Sequence, residues 1–522
     1  MSAPHIALNR FGLGARPGEA SGLGDPRGWL EDQLEGDPPD RAAAVPSDQA
    51  VAEAFRGFLT AVRSQDRDGV RAATRKVIEF HARESAAALA TRAASERPFV
   101  ERWIAFWSNH LCVSVGAGIR VAAFAGRYER EAIRPHVLGP FEKLLLASAR
   151  HPAMLLYLDN AQSVGPESRV ARRPRRGRSG PGQDRLRGLN ENYARELLEL
   201  HTLGVGGGYS QDDVRELARI LTGWTVAGLG GPVDRLLGGG SGGMGGRGGP
   251  PGRGGQPAPG GPGGVPREAD GAPTTDGIPT FHFLEWAHEP GRKTVLGRRY
   301  DEGESAGHEV IRDLARRPEA ARFISTKLVT HFIDDAPPPR AVDRLTARWL
   351  ETEGDLREVA RELVALDEAW EPRYRKFRTP QDWMLAILRA VGNDDANPAV
   401  TRVLRQLRHP LWAPPSPAGY SDLNRDWGDP DSLMNRAELA RTLAERTGRD
   451  GLGGSGGGPG AGRSSNPGTG QSAGAGGRDL RPLGTVMPLE PDDPLGAILA
   501  DTSLDASERI ALAFAGPAFQ WR

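Results

Sequence analysis

Residues able to move protons or hold ions are densest between Asn190 and Gly204, where Glu191, Arg195, Glu196, Glu199 and His201 follow one another closely. Read as a helix, the stretch puts Tyr193, Ala194, Leu197, Leu198 and Leu200 on one face and Asn192, Arg195, Glu196 and Glu199 on the other. Glu191, Arg195 and Glu199 stand i, i+4, i+8, which suits intrahelical ion pairs worth about 0.3–0.5 kcal/mol each when exposed. The same spacing allows a second use, in which Arg195 orients Glu196 and Glu199 as acid/base or metal-binding carboxylates. His201 projects onto the apolar face of this helix. His110 does the same between Trp103 and Trp107 of its own segment. A buried imidazole is costly without hydrogen-bond partners. Capping of both rings by backbone groups would make them core residues, whereas convergence on a ligand, a metal or a carboxylate such as Asp159 would make them a site. His288, in the loop before Pro290, could supply a further ligand. The catalytic candidates are therefore His110, Asp159, Arg195, Glu196, Glu199 and His201. The metal version has His110, His201 and His288 around a divalent cation; zinc needs at least three protein ligands, and no His-Glu-x-x-His string is present.

Other templates do not fit. No Gly-x-Ser-x-Gly elbow sits between a strand and a helix. The single cysteine, Cys112, excludes a disulfide framework and Cys-x-x-Cys zinc sites, and its apolar neighbourhood suggests an inert buried thiol. Asn9 to Gly14 lacks the dinucleotide fingerprint and reads as a turn. Lys+Arg and Asp+Glu are 67 each, so no net charge draws the chain to nucleic acid or anionic lipid. Arg169, Arg172, Arg173, Arg175, Arg176 and Arg178 could hold phosphate. Proline and glycine break that run, and no aromatic residue interleaves with it, which favours a solvated loop and no specific nucleic-acid partner. With no secretory signal and no long apolar stretch, the default expectation is a cytoplasmic protein without a transmembrane segment.

The elements that must position these residues have a helical period. The pattern predicts helices over 50–60, 70–90, 99–111, 120–134, 140–149, 190–202, 305–332 with a break near Pro318, 340–350, 354–366, 380–391 and 434–446. In 99–111, Glu101, Arg102 and Ser108 lie opposite the aromatic face. Ser210 and Asp213 spell a capping box for the next helix. Strand patterns are scarce: Phe281–Phe283 and Lys293–Leu296 could form one short hairpin. The fold class expected is mainly α, a large multi-helix body.

Glycine is uneven. Residues 228–264 hold 19 glycines and residues 451–477 hold 13, together 32 of the 69 in the chain. Such tracts bury too little apolar surface to offset backbone entropy, so two disordered insertions are expected. The division that follows is a helical part at 1–226, an insertion at 227–275, a second part of the same body at 276–449, an insertion at 450–480 and a closing segment at 481–522.

Several motifs together resemble one family. They are Asn9 to Gly14; Phe106-Trp107-Ser108-Asn109-His110; Arg134-Pro135-His136; His151 to Asn160; and Asn190 to Gly204 followed by Gly208-Tyr209 and Leu221 to Trp224. Phe281-His282-Phe283, His288 to Gly297, Phe323 to Phe332 with Lys327, Lys376 to Pro380, and Pro414 to Tyr420 continue the match. The chain is similar over nearly its whole length to the DUF1800 family, a large bacterial family with no assigned reaction. The resemblance implies a mostly helical protein. It also implies a partner of the DUF1501 type, which itself resembles the alkaline phosphatase and sulfatase superfamily. Many family members carry export signals and none is visible here, which leaves export with a partner as the extracytoplasmic route. Two functions follow: an accessory protein serving such a hydrolase-like partner, or a metal-dependent or acid/base hydrolase using the His/Glu/Arg cluster.

Overall fold

A computed structural model of the chain describes residues 2–38, 45–172, 188–228, 278–372, 376–393, 398–450, 481–487 and 494–522. Residues 229–275 and 451–480 of the two expected glycine-rich insertions, and Arg173 to Arg178 of the arginine run, lie outside these residues, whereas Ala227, Gly228 and Asp450 are described.

Helices dominate. Those of nine residues or more are α1 (Asp48–Arg63), α2 (Arg67–Ala94), α3 (Pro98–His110), α4 (Phe141–Arg150), α5 (Glu191–Glu199), α6 (Gln211–Leu221), α7 (Glu304–Ala315), α8 (Pro318–Phe332), α9 (Pro339–Glu351), α10 (Leu356–Ala365), α11 (Pro380–Ala390), α12 (Pro398–Gln406), α13 (Pro430–Asp450) and α14 (Ala506–Ala515). Their starts follow local chemistry. Ser47, Asp66, Asp355 and Thr379 accept backbone N–H bonds as N-caps of α1, α2, α10 and α11. Ser210 and Asp213 form both halves of the capping box on α6. The break expected near Pro318 separates α7 from α8, and proline occupies the first turn of α8, where its missing N–H costs nothing.

Three expectations are corrected. Residues 120–134 are not one helix but Ile119–Ala122, Ala125–Tyr128, a π turn at Glu129–Ile133 and a 3₁₀ turn at Arg134–His136. The widened π turn carries Glu129 into the interior. Asn9 is not in a simple turn: Ala7–Phe11 is a buried π-helical segment. The two short β stretches do not pair with each other. β1 (Trp224–Ala227) pairs antiparallel with β2 (Thr280–Phe283), and β3 (Lys293–Val295) with β4 (Arg298–Tyr300). Leu296 and Gly297, both at positive φ, close the second pair tightly enough to exclude the first.

One apolar cluster runs from Ile6 through the aromatic face of α3 to Phe519. The far side of α3 is covered as well, against its reading as a polar face. Glu101 is 0% and Arg102 1% exposed. Arg134 makes two bonds to Glu101, of 2.6 and 3.0 Å, and Arg102 donates to Asp382 at 3.0 Å. A second layer of helix brings these partners, so the polar stripe is paired rather than solvated. Among the described residues, no helix is long and apolar enough to cross a membrane.

Candidate functional site

The end of α3 is where three other elements converge. Trp107 is core. Asn109 clamps the loop 416–420, its amide donating to the Tyr420 carbonyl at 2.9 Å and its oxygen accepting from the Tyr420 N–H at 2.7 Å. Gly419 has φ +85°, and a Cβ there would stand 2.5 Å from the Asn109 carbonyl oxygen. We expect Gly419→Ala to cost about 1–3 kcal/mol in a urea-unfolding measurement; an unchanged midpoint would show that the loop does not depend on this approach.

His110 and His201 are both buried and do come together, but through the backbone. The Nε2–H of His110 donates to the His201 carbonyl at 3.1 Å, which fixes the tautomer and leaves Nδ1 as a buried acceptor. Burial first, with Lys327 and His201 adding to it, holds His110 far below the usual imidazole range; burial and Lys327 hold His201 at about 3. His110 is thus capped in the way a core histidine is.

Asp159 does not join them. It is exposed at φ 57°, where the chain turns after Leu158, and the buried neighbour is Asn160, which donates to the Leu221 and Trp224 carbonyls. His288 belongs to a different cluster. Its Nδ1 lies 2.9 Å from the Thr222 carbonyl, and its Nε2 lies 3.1 Å from both Lys293 Nζ and the Gly303 N–H. Both ring nitrogens are engaged. Among the described residues no group of three or more His, Cys, Asp or Glu side chains is placed to hold a metal ion.

The polar face of α5 is turned toward α6 rather than along itself. Arg195 donates to Gln211 at 2.7 Å, Gln211 donates to Glu191 at 2.6 Å, and Glu199 accepts from the Tyr209 hydroxyl at 3.2 Å. The ion-pair ladder along α5 is replaced by these bonds. Glu196 stays apart. It is partly buried, and its carboxylate has no hydrogen bond or ion pair among the described residues. Burial, then the nearby Glu199, raises it, and Arg195 offsets this only in part.

Facing this corner from α8 are Lys327 and His331, one turn apart. Lys327 is partly buried and its ammonium lies 5.8 Å from the Phe323 ring centroid. It makes no hydrogen bond or ion pair among the described residues. Burial pushes it down, and Asp422 and Cys112 offset this only in part. The carboxylate it feels is already engaged: Asp422 accepts from His331 Nδ1 at 2.6 Å. Burial alone would raise Asp422, but His331, Lys327 and Lys376 together hold it below the ordinary carboxylate range. Burial pushes Cys112 up to about 12, and its thiol donates to the Pro417 carbonyl at 3.3 Å, so it is the inert group expected. Lys327 and Glu196 both bear electrostatically on that thiol.

Beside this corner is a cavity of about 70 Å³ whose walls include Asn109, Cys112, His331, Asp382, Tyr420 and Asp422. It has room for a few waters at roughly 10–15 Å³ each. Asp382 stands between two guanidinium groups, with Arg102 at 3.0 Å and Arg522 at 3.4 Å, which hold it far below its ordinary range against the effect of burial. Arg522 also donates to the carbonyls of Arg10, at 3.2 Å, and His331, at 3.0 Å.

Lys327, His331, Asp422, Asn109 and Asp382 were not read as candidates from sequence. Lys327 and His331 share an i, i+4 face and could have been paired, but Asp422 lies 91 positions from His331 on an irregular loop, with no spacing to betray it. The described arginines of the basic run pair with carboxylates, Arg172 with Glu167 at 2.7 Å and Arg169 with Glu285 at 3.9 Å. Comparison with curated proteins and with solved structures found no match. The family model described as "Protein of unknown function (DUF1800)" matches residues 6–521, essentially the whole length over which these motifs are spread, and the chain belongs to that family.

Proposed function

We propose that this chain is an acid/base hydrolase whose reaction takes place at the corner between α3, α5, α8 and the 409–424 loop. The observation that supports this reading is the pair Glu196 and Lys327. They come from different helices, each is partly exposed, and neither makes a hydrogen bond or ion pair among the described residues. Structural charges at such depth are normally paired. Groups kept unpaired and shifted toward their neutral forms are the kind that active sites hold ready.

In this reading Glu196 is the proton-transfer residue. As carboxylate it accepts a proton from the attacking water, and as carboxylic acid it returns that proton to the leaving oxygen. Its raised affinity for protons brings it nearer neutral pH, where general acid–base catalysis is most effective. Glu199 supports it by repulsion, and Arg195 limits the shift. His110 and His201 are positioning residues that tie α3 to the turn after α5, and Asn109 holds the loop opposite. No metal is needed for these roles.

The test is a panel of chromogenic carboxylic, phosphoric and sulfuric esters offered to the purified full chain. Glu196→Gln is expected to lower turnover by about 10²–10⁴-fold with an unchanged circular dichroism spectrum. Full activity in that variant would end the proposal. Wild-type protein inert toward every ester would instead favour the accessory role beside a DUF1501-type, hydrolase-like partner.

A further inference from the structure

We infer that the cavity walled by His331 and Asp422 is a binding site for a small neutral alcohol, whose hydroxyl donates to Nε2 of His331. The inference goes beyond the hydrolase reading and uses neither Glu196 nor Lys327 as a ligand group.

The His331 ring is fixed from one edge. It is 9% exposed and forms part of the cavity wall. Its Nδ1–H donates to Asp422 Oδ1 at 2.6 Å. Asp422 is kept a carboxylate by His331, Lys327 and Lys376 in spite of its burial, so the proton of that bond stays on nitrogen. Burial in turn outweighs Asp422 and keeps His331 toward its neutral form. The lone pair of the ring is therefore left on Nε2, which is buried and has no hydrogen-bond partner among the described residues. A buried acceptor without a donor is costly, and a donor inside the cavity removes that cost.

The wall has already committed its own protons. The Tyr420 hydroxyl donates to the Pro410 carbonyl at 2.8 Å, Ser108 to Glu129 at 3.0 Å, Ser421 to Asp426, and the Cys112 thiol to the Pro417 carbonyl at 3.3 Å. Charge in the wall is matched as well. Arg92 has Glu129 at 2.8 Å, and Asp382 has Arg102 at 3.0 Å and Arg522 at 3.4 Å. Asp422 answers to Lys327 and Lys376. An ionic occupant would find no counter-charge to offset its desolvation, whereas a neutral donor needs none. Leu385, Leu411, Trp412 and Pro414 give the rest of the wall an apolar surface, which suits the carbon body of an alcohol. About 70 Å³, at roughly 10–15 Å³ for each water-sized group, holds about five such groups. Asn109, Gln381 and Ser421 in the wall are partly exposed, so its rim reaches solvent.

The probe is trifluoroethanol, titrated at millimolar concentration into the full chain and followed by fluorine NMR. Methyl trifluoroethyl ether has nearly the same body without the O–H, and trifluoroethylammonium brings a donor together with a charge. The alcohol should bind saturably, and the ether and the ammonium should each bind about tenfold more weakly or less well still. His331→Phe, which keeps a ring but removes the lone pair, should weaken the alcohol about tenfold. Because that change strands Asp422 and can cost the fold, Ala105→Leu is the second variant. It fills the cavity from α3 and leaves the His331–Asp422 pair in place, and it should abolish binding at an unchanged melting temperature. Absence of saturable alcohol binding, equal binding of alcohol and ether, or undiminished binding in either folded variant overturns the inference.

Discussion

Replacing Glu129 by alanine should lower the unfolding free energy by about 3–5 kcal/mol, the cost of stranding a buried charge. Glu129 is 0% exposed. Its Oε2 accepts from Arg92 at 2.8 Å, from the Ser108 hydroxyl at 3.0 Å and from the Trp412 indole N–H at 2.8 Å, and Arg134 lies 3.6 Å from Oε1. Removing the carboxylate leaves three donors from three elements in the interior together, and Arg92 loses its counter-ion. Glu129→Gln, which keeps an accepting oxygen, should cost less. Arg71→Ala, which breaks only an exposed pair with Asp68 at 3.6 Å, should cost less than about 1 kcal/mol. Urea unfolding of the three variants checks the order. A loss below 1 kcal/mol in Glu129→Ala would mean that the cluster is replaceable by water.

Stability should also fall steeply in mild acid. His201 and His409 are 2% and 6% exposed, and burial, their largest influence, brings both to about 3 in the folded chain. Unfolded histidine titrates near 6.5. Between those limits the unfolded chain binds more protons, so stability is present above the unfolded value and is lost as pH falls, by about 1.4 kcal/mol per pH unit for each ring. The two together should remove roughly 4 kcal/mol between neutrality and pH 5, a large share of a typical 5–15 kcal/mol. Asp382 and Asp422 act in the same direction but later. Their folded values are depressed, so their contribution holds above about 3.9 and is lost only in stronger acid. Urea midpoints from pH 7 to 5 test this, and His409→Phe should flatten the slope by about one proton if it folds. Equal stability at the two ends would refute the neutral state of these rings.

The helical architecture was legible because its signals are local. The aromatic stripe of α3, the Ser210–Asp213 capping box and the break at Pro318 each depend on neighbours within a turn or two, and the structure keeps all of them. Burial of His110 and His201 was legible for the same reason. The partners were not. Whether Glu101 faces solvent or Arg134 depends on a segment 33 positions away, and helical projection carries no information about what covers the opposite face. Glu196 was within reach because its helix is polar enough to draw notice. Lys327 was passed over because a lysine on a helix is ordinarily solvated, and its lack of a partner is a property of four elements together. Asp159 misled because the residue that turns inward is its neighbour, a difference set by one left-handed backbone angle.

The guanidinium of Arg522 has a consequence for how the molecule comes into being. It bridges the carbonyls of Arg10 and His331, 512 and 191 positions away, and closes on Asp382. Contacts so remote in the chain carry a high loop-closure cost, which must be met before they return any stabilisation. Neighbouring helices such as α1 and α2 can pair while the rest is still unfolded, but the corner holding Lys327 and Asp422 has no local precursor. The geometry of that corner therefore depends on segments from both ends of the chain being in place together.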